Sequence, residues 1–337
     1  MTLIRHSMMF ALALAGCSKS SSETSPSTSA PMTTSAAAAK PASTGAAPSA
    51  TTQVGAKPAA PAAPTKISAG AIRGTRCNIA NLGTKYRRSL HVDAQGTLYA
   101  FDDGDAVHKI PAGSGPCGLG AAVDIPSGDT SYAFAPDGSV QNAKSGTERP
   151  ECKSLSFVGG FRGVVSNGVA FVIDNREVRS EDLKDPKCSP KRFGDPPPTG
   201  NPISVAATDK HVFLLDFHGS GHDDNFVLRY DRTGKLVDKL NVGPDGKAIA
   251  RWPDHLTPCG AGACLLEGEK VLVVFGGDGK LLRKGEIQGD GFSLGYASVA
   301  GMVEVPGKGL FLYVGLPKEN GSSEKVADII RVENVVK

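Results

Sequence analysis

Residues 89–103, SLHVDAQGTLYAFDD, decide how this 337-residue chain is read. An apolar run, SLHV, meets a turn, DAQG, and a second apolar run, TLYAF, follows it. Val, Leu, Tyr and Phe suit a pleated, half-buried surface, and Gly96 supplies the positive φ that a tight hairpin requires. Five more stretches carry the same plan: SYAFAPDGSVQNA (131–143), GVVSNGVAFVIDN (163–175), VAATDKHVFLLDF (205–217), CLLEGEKVLVVFGG (264–277) and VEVPGKGLFLYVGL (303–316). Some continue through another turn, as in VLRYDRTGKLVDKL (227–240) and VVFGGDGKLLRKGEI (273–287).

Helical periodicity is nearly absent after residue 67, so the chain reads as all-β. From Leu98 to Leu310 the repeats average about 42 residues, within the period of radially arranged sheets. The repeats resemble those of β-propellers of the NHL and quinoprotein-like kinds across nearly all of 67–337. The resemblance implies blades packed round an axis, six of them for six units, with five or seven left open. It also implies ring closure by a strand near Ala71–Ile79 beside a final strand at Val326–Val336. A β-sandwich or a pair of small β-domains is the competing architecture. The quinoprotein cofactor does not carry over, because the single tryptophan, Trp252, departs from the blade-docking pattern of that group. No cofactor is expected.

Working outward, the chain opens MTLIRHSMMFALALAGCSKS. Arg5 and His6 form a basic start and Met8–Leu14 a short apolar run, far below the ~20 residues that a membrane span needs. That is the layout of a secretory signal. Leu14-Ala15-Gly16-Cys17 resembles the lipobox of bacterial lipoproteins, which implies lipid on Cys17 (palmitate among the acyl groups) and a membrane as partner. Ser18 in place of Asp implies the outer membrane, if the source has two. The layout divides the chain into a signal at 1–17, a tether at 18–66 and a folded domain at 67–337.

The tether is almost entirely Ala, Pro, Ser, Thr, Gly and Lys, with no aromatic residue and one acid, Glu23. It cannot bury enough surface to offset its ordering entropy, so it is expected to be disordered, with an r.m.s. span of roughly 35–40 Å. Residues 1–66 hold five of the 37 basic residues and one of the 34 acidic ones, leaving 32 and 33 for the domain. A near-neutral domain offers no basic face for nucleic acid. Nothing in it demands an oligomer, so a monomer is expected.

Beyond Cys17 there are six cysteines, an even number that suits disulfides in an exported chain. The sequential pairing is Cys77–Cys117, Cys152–Cys188 and Cys259–Cys264. Zinc and free thiols are the other readings, and no second close pair or adjacent histidine supports zinc.

The richest polar cluster is LLDFHGSGHDDNFVL, residues 214–228. Asp216, His218, His222, Asp223 and Asp224 offer imidazole and carboxylate ligands for a divalent ion. The same residues suit a solvated hairpin loop. Asp102, Asp103 and Asp105 resemble a calcium loop only in part, lacking its full acidic alternation and terminal glutamate. Arg251 and Trp252 form a candidate surface for a sugar or a partner side chain, with packing on the Cys259 region as the plain alternative. No GxSxG elbow or phosphate loop occurs. Two functions follow as expectations. One is a lipid-anchored envelope protein whose propeller binds a protein or glycan partner. The other is a secreted metal-dependent hydrolase or lyase acting on a small substrate.

Overall fold

The computed structural model describes residues 68–69, 72–82, 87–102, 106–125, 132–142, 162–219, 225–240, 253–318 and 323–335, apart from 175, 186, 188, 269, 290, 291, 293, 295, 296 and 334. The signal, Cys17 and the tether lie outside these residues, as do Asp103, Asp105, Cys152, Cys188, His222, Asp223, Asp224, Arg251 and Trp252. Among the described residues no helix is long and apolar enough to cross a membrane.

The strands form successive antiparallel units. The first holds β3 (Arg87–Val92), β4 (Leu98–Asp102), β5 (Val107–Ile110) and β6 (Val123–Ile125). The second shows β7 (Tyr132–Phe134) and β8 (Val140–Asn142) among the described residues. The third runs through β9 (Gly163–Ser166), β10 (Val169–Asp174), β11 (Glu177–Asp182) and β12 (Lys191–Phe193). The fourth holds β13 (Asn201–Ala207), β14 (His211–Phe217), β15 (Phe226–Asp231) and β16 (Leu236–Leu240). The fifth holds β17 (Pro253–Cys259), β18 (Gly262–Glu267), β19 (Val271–Phe275) and β20 (Leu281–Gly289). The sixth takes β21 (Ser298–Val305), β22 (Gly309–Pro317) and β23 (Lys325–Val332) from the end of the chain. Its outer strand is β2 (Ile72–Arg76), from the beginning of the domain.

The burial pattern explains why these units stack. In β14, Val212 and Leu214 pack against Phe171 and Val178 of the third unit, while Phe213 and Leu215 pack against Leu265 and Val273 of the fifth. Alternate side chains of one strand thus serve opposite faces, and both faces are covered by neighbours. The same holds in the sixth unit. Leu310, Leu312 and Val314 face Leu266 and Val274 of the fifth unit, whereas Phe311 and Tyr313 face Leu98 and Ala100 of the first. First and last units are therefore neighbours, and the sheets close into a propeller. Fully burying each such Leu, Val or Phe contributes roughly 1.5–3 kcal/mol.

Closure has its own hardware. β2 pairs antiparallel with β23 and also parallel with β20, while β1 (Ser68–Ala69) pairs with β20. The second pairing, onto β20, fuses the outer edges of the fifth and sixth units into one sheet and was not legible in the sequence. Just beyond β2, Cys77 is joined to Cys117 of the first unit, Cα to Cα 5.5 Å. The buried Asp328 of β23 accepts from Arg76 Nε at 2.5 Å and from Ile79 N at 3.1 Å. Gly301 lets β21 meet β3, since a Cβ there would lie 2.4 Å from the Leu90 nitrogen.

One alignment needs correcting. CLLEGEKVLVVFGG spans β18 and β19, whereas the other five stretches span the first and second strands of their units. The true counterpart is β17 with β18. Pro253, Pro258 and the Gly260–Gly262 turn disguise β17 as a loop, but a first strand is an edge strand, where proline costs no ladder bond on its open side. The final strand also stops at Val332 instead of reaching Val336.

Candidate functional site

The first strands of the units stand round the axis and enclose a cavity of about 480 Å³. At one end the hairpin turns that follow these strands form a mouth: Asp93–Gly96, Pro136–Gly138, Asn167–Gly168, Thr208–Lys210, Gly260–Ala261 and Pro306–Gly307. These are the turns seen in the repeats, with the fifth corrected as above.

Two of these turns are fixed by their own acidic side chains. Asp93 Oδ1 accepts from Gln95 N at 3.0 Å and Thr97 N at 2.8 Å, and Tyr99 donates its hydroxyl to Oδ2 at 3.0 Å. Burial, with the Asp93 charge beside it, raises the Tyr99 pKa. Asp137 Oδ1 accepts from the Ser139 N–H at 2.9 Å and its hydroxyl at 2.7 Å, which holds the carboxyl below its ordinary pKa. Short acidic side chains that bond the backbone two residues on stabilise such turns.

Other contacts tie one turn to the next. His91 is 4% exposed, and its Nε2 donates to Gly138 O at 2.7 Å. Its ring meets Phe134 edge-on at 4.6 Å, and burial lowers its pKa to about 4. Asn167 Nδ2 donates to Asp209 Oδ1 at 3.1 Å. Arg232 donates to Ser166 O and Thr208 O while its guanidinium lies 4.8 Å over the Phe171 ring. Gly260 N donates to both carboxylate oxygens of Glu304 at 2.9 Å, and burial nonetheless raises the Glu304 pKa. The Gly260 turn is itself strapped by the Cys259–Cys264 disulfide, so two of the three sequential pairings are present and the third falls outside the described residues.

Of the acids and histidines singled out in the sequence, those among the described residues lie elsewhere. Asp216 sits inside β14 at 0% exposure, accepting from Thr199 N at 3.0 Å and Gly200 N at 2.9 Å. His218 Nε2 lies 3.3 Å from Asp216 Oδ2, and its backbone N donates to Asn225 Oδ1. Asp102 closes its own turn through the Ala106 N–H, and His108 lies between Asp102 and Asp124, at 3.5 Å and 2.6 Å. Among the described residues no three His, Cys, Asp or Glu side chains are grouped to hold one metal ion. Glu304, Asp137, Asp209 and Thr257 were not singled out from the sequence. Their only signal was position, three of them falling in or beside the repeated turns.

No family model matches the chain, and no curated protein does. Among solved structures, it is similar to a glutaminyl cyclase from Myxococcus xanthus, at 9% identity and TM-score 0.42 over 78% of this chain and 99% of that one. It is similar to virginiamycin B lyase from Staphylococcus aureus, at 11% identity and TM-score 0.41 over 79% and 89%. It is also similar to a calcium-binding protein, regucalcin, from Agrobacterium tumefaciens, at 11% identity and TM-score 0.44 over 77% and 95%.

Proposed function

We propose that this protein is a lipid-anchored binding platform of the cell envelope, held through Cys17 and presenting the propeller mouth to a protein or glycan partner. The observation that carries the reading is the construction of the mouth. Its side chains hold the turns to one another: His91 to Gly138, Asn167 to Asp209, Gly260 to Glu304. A surface fixed in this way loses little freedom on binding, which favours recognition. The lipobox supplies location, and the tether raises the effective concentration of the domain near envelope partners. The reading needs no cofactor and no nucleic acid, and it places the protein at the outer membrane of a diderm source.

Two measurements test it. An alkyne-tagged fatty acid should label the full-length protein in cells, and Cys17→Ala should abolish the label. A photo-crosslinking residue at Asp137 or Lys210 should capture one defined envelope component, while the same residue at the outer, exposed Val237 should not. Equal capture from all three positions would remove the mouth as the binding face.

A further inference from the structure

We propose that the central cavity is a binding site for an aliphatic diamine or polyamine, a chain of methylenes carrying separated ammonium groups. The inference does not rest on the tether or on the macromolecular partner. Small-molecule sites are concave, mostly apolar and of roughly 300–1,000 Å³, and this cavity is about 480 Å³. Its wall is apolar where Val92, Val205, Leu256, Met302 and Val303 meet it.

The charges are not balanced. Four acids, Asp93, Asp137, Asp209 and Glu304, line the cavity against one lysine, Lys210. Asp93 is consumed by its own turn and by Tyr99. The other three make no ion pair among the described residues, and each has hydrogen-bonding capacity left over. They stand on the second, fourth and sixth units, so they alternate round the ring. Thr257 adds a second kind of signal. It lines the cavity, is 3% exposed, and its hydroxyl has no hydrogen-bond partner among the described residues. A side chain buried this far, whose hydroxyl is not itself sealed from the cavity, offers a ligand there both a donor and an acceptor.

That the three acids form no tight cluster bears on the shape of the cation. These carboxylates are not grouped closely enough to share one metal ion. An elongated cation can meet them one at a time while its methylenes lie on the apolar wall. An ammonium leaving water needs a charged, hydrogen-bonding partner, and Glu304 offers one at the edge of that wall.

Calorimetry on the full-length protein in non-ionic detergent tests this with 1,8-diaminooctane and spermidine, against 1,8-octanediol and calcium chloride. Both amines should bind with one-to-one stoichiometry and the diol should not. Glu304→Gln keeps an acceptor for Gly260 N–H, so the mouth is retained, and it should weaken diamine binding about tenfold, or about 1.4 kcal/mol. Asp137→Asn should weaken it severalfold, and Thr257→Val should do so at an unchanged melting temperature. Asp278→Asn, on an outer turn of the fifth unit, should change nothing. The proposal is overturned if the diol binds as well as the diamine, if neither amine binds, or if Glu304→Gln and Asp137→Asn both bind like the unaltered protein. Stoichiometric calcium that displaces the diamine would also overturn it, replacing the polyamine site with a metal site.

Discussion

The fourth and sixth units contain the same four-stranded sheet built in two ways. The fourth is one continuous stretch, Asn201–Leu240, in which every strand is joined to its neighbour by a short connection. The sixth borrows β2 from more than two hundred residues earlier. Local hairpins order little chain for each contact made, whereas a distant strand must first meet the cost of closing the whole loop. The reinforcement follows that difference. The fourth unit has no disulfide among the described residues, while the composite joint carries Cys77–Cys117, the Asp328 contacts and the doubled pairing of β2.

The largest expected effect comes from removing the borrowed strand. Deleting residues 68–76 strips the outer strand from the sixth unit, uncovers β20 and takes the buried Ile72 out of the core. The loss should rival the whole stability of a domain, about 5–15 kcal/mol, and abolish cooperative thermal unfolding. A synthetic peptide of residues 66–79 should restore the transition. If the deletion variant still melts cooperatively near the original temperature, closure by β2 is not what holds the ring.

Next in size is a core truncation in the continuous unit. Phe213→Ala removes a fully buried ring between the fourth and fifth units and should cost about 3–5 kcal/mol in urea unfolding. The disulfides sharpen the comparison further. In the chain-entropy account, the 40-residue separation of Cys77 and Cys117 is worth about 4 kcal/mol. The five-residue separation of Cys259 and Cys264 is worth about 2 kcal/mol. Paired Cys→Ser variants should rank in that order. The reverse ranking would mean that the Gly260 turn, not the closing joint, is the weaker point.

The same contrast governs what could be read from residues alone. VAATDKHVFLLDF announces β13 and β14 because apolar runs flank a turn of Thr, Asp and Lys, and the structure keeps that reading. The closing strand was placed near its true position only through the propeller resemblance. IRGTR has little strand character of its own, and just Ile72 and Gly74 of it are buried. β17 was missed because its prolines and glycines obey the rules of an edge strand. The mouth was hidden for another reason. Asp137, Asp209 and Glu304 each read as ordinary turn or strand residues, and only closure of the ring brings them to one cavity. Asp216 shows the converse. An acid beside two histidines reads as a ligand, yet it lies inside β14 holding the Thr199–Gly200 backbone.

The smallest effect, and the most specific, is at the joint between the first and second units, where His91 ties one to the other. Its ring is buried, donates from Nε2 to Gly138 O, and has a pKa lowered from 6.5 to about 4 by that burial. In the unfolded chain the imidazole titrates near its ordinary value, so below that pH the unfolded state binds more protons than the folded one. Stability is therefore full above about pH 6.5 and falls as acid is added, with His91 alone costing about 3 kcal/mol between pH 7 and pH 4. His211 and His255 are lowered in the same direction and add to the slope. His91→Gln keeps a donor for Gly138 O but cannot titrate, so urea unfolding of that variant should lose less stability over the same range. An identical slope in both proteins would mean that acid opens the ring elsewhere, and the closing joint, with its Arg76–Asp328 pair, would be the next place to look.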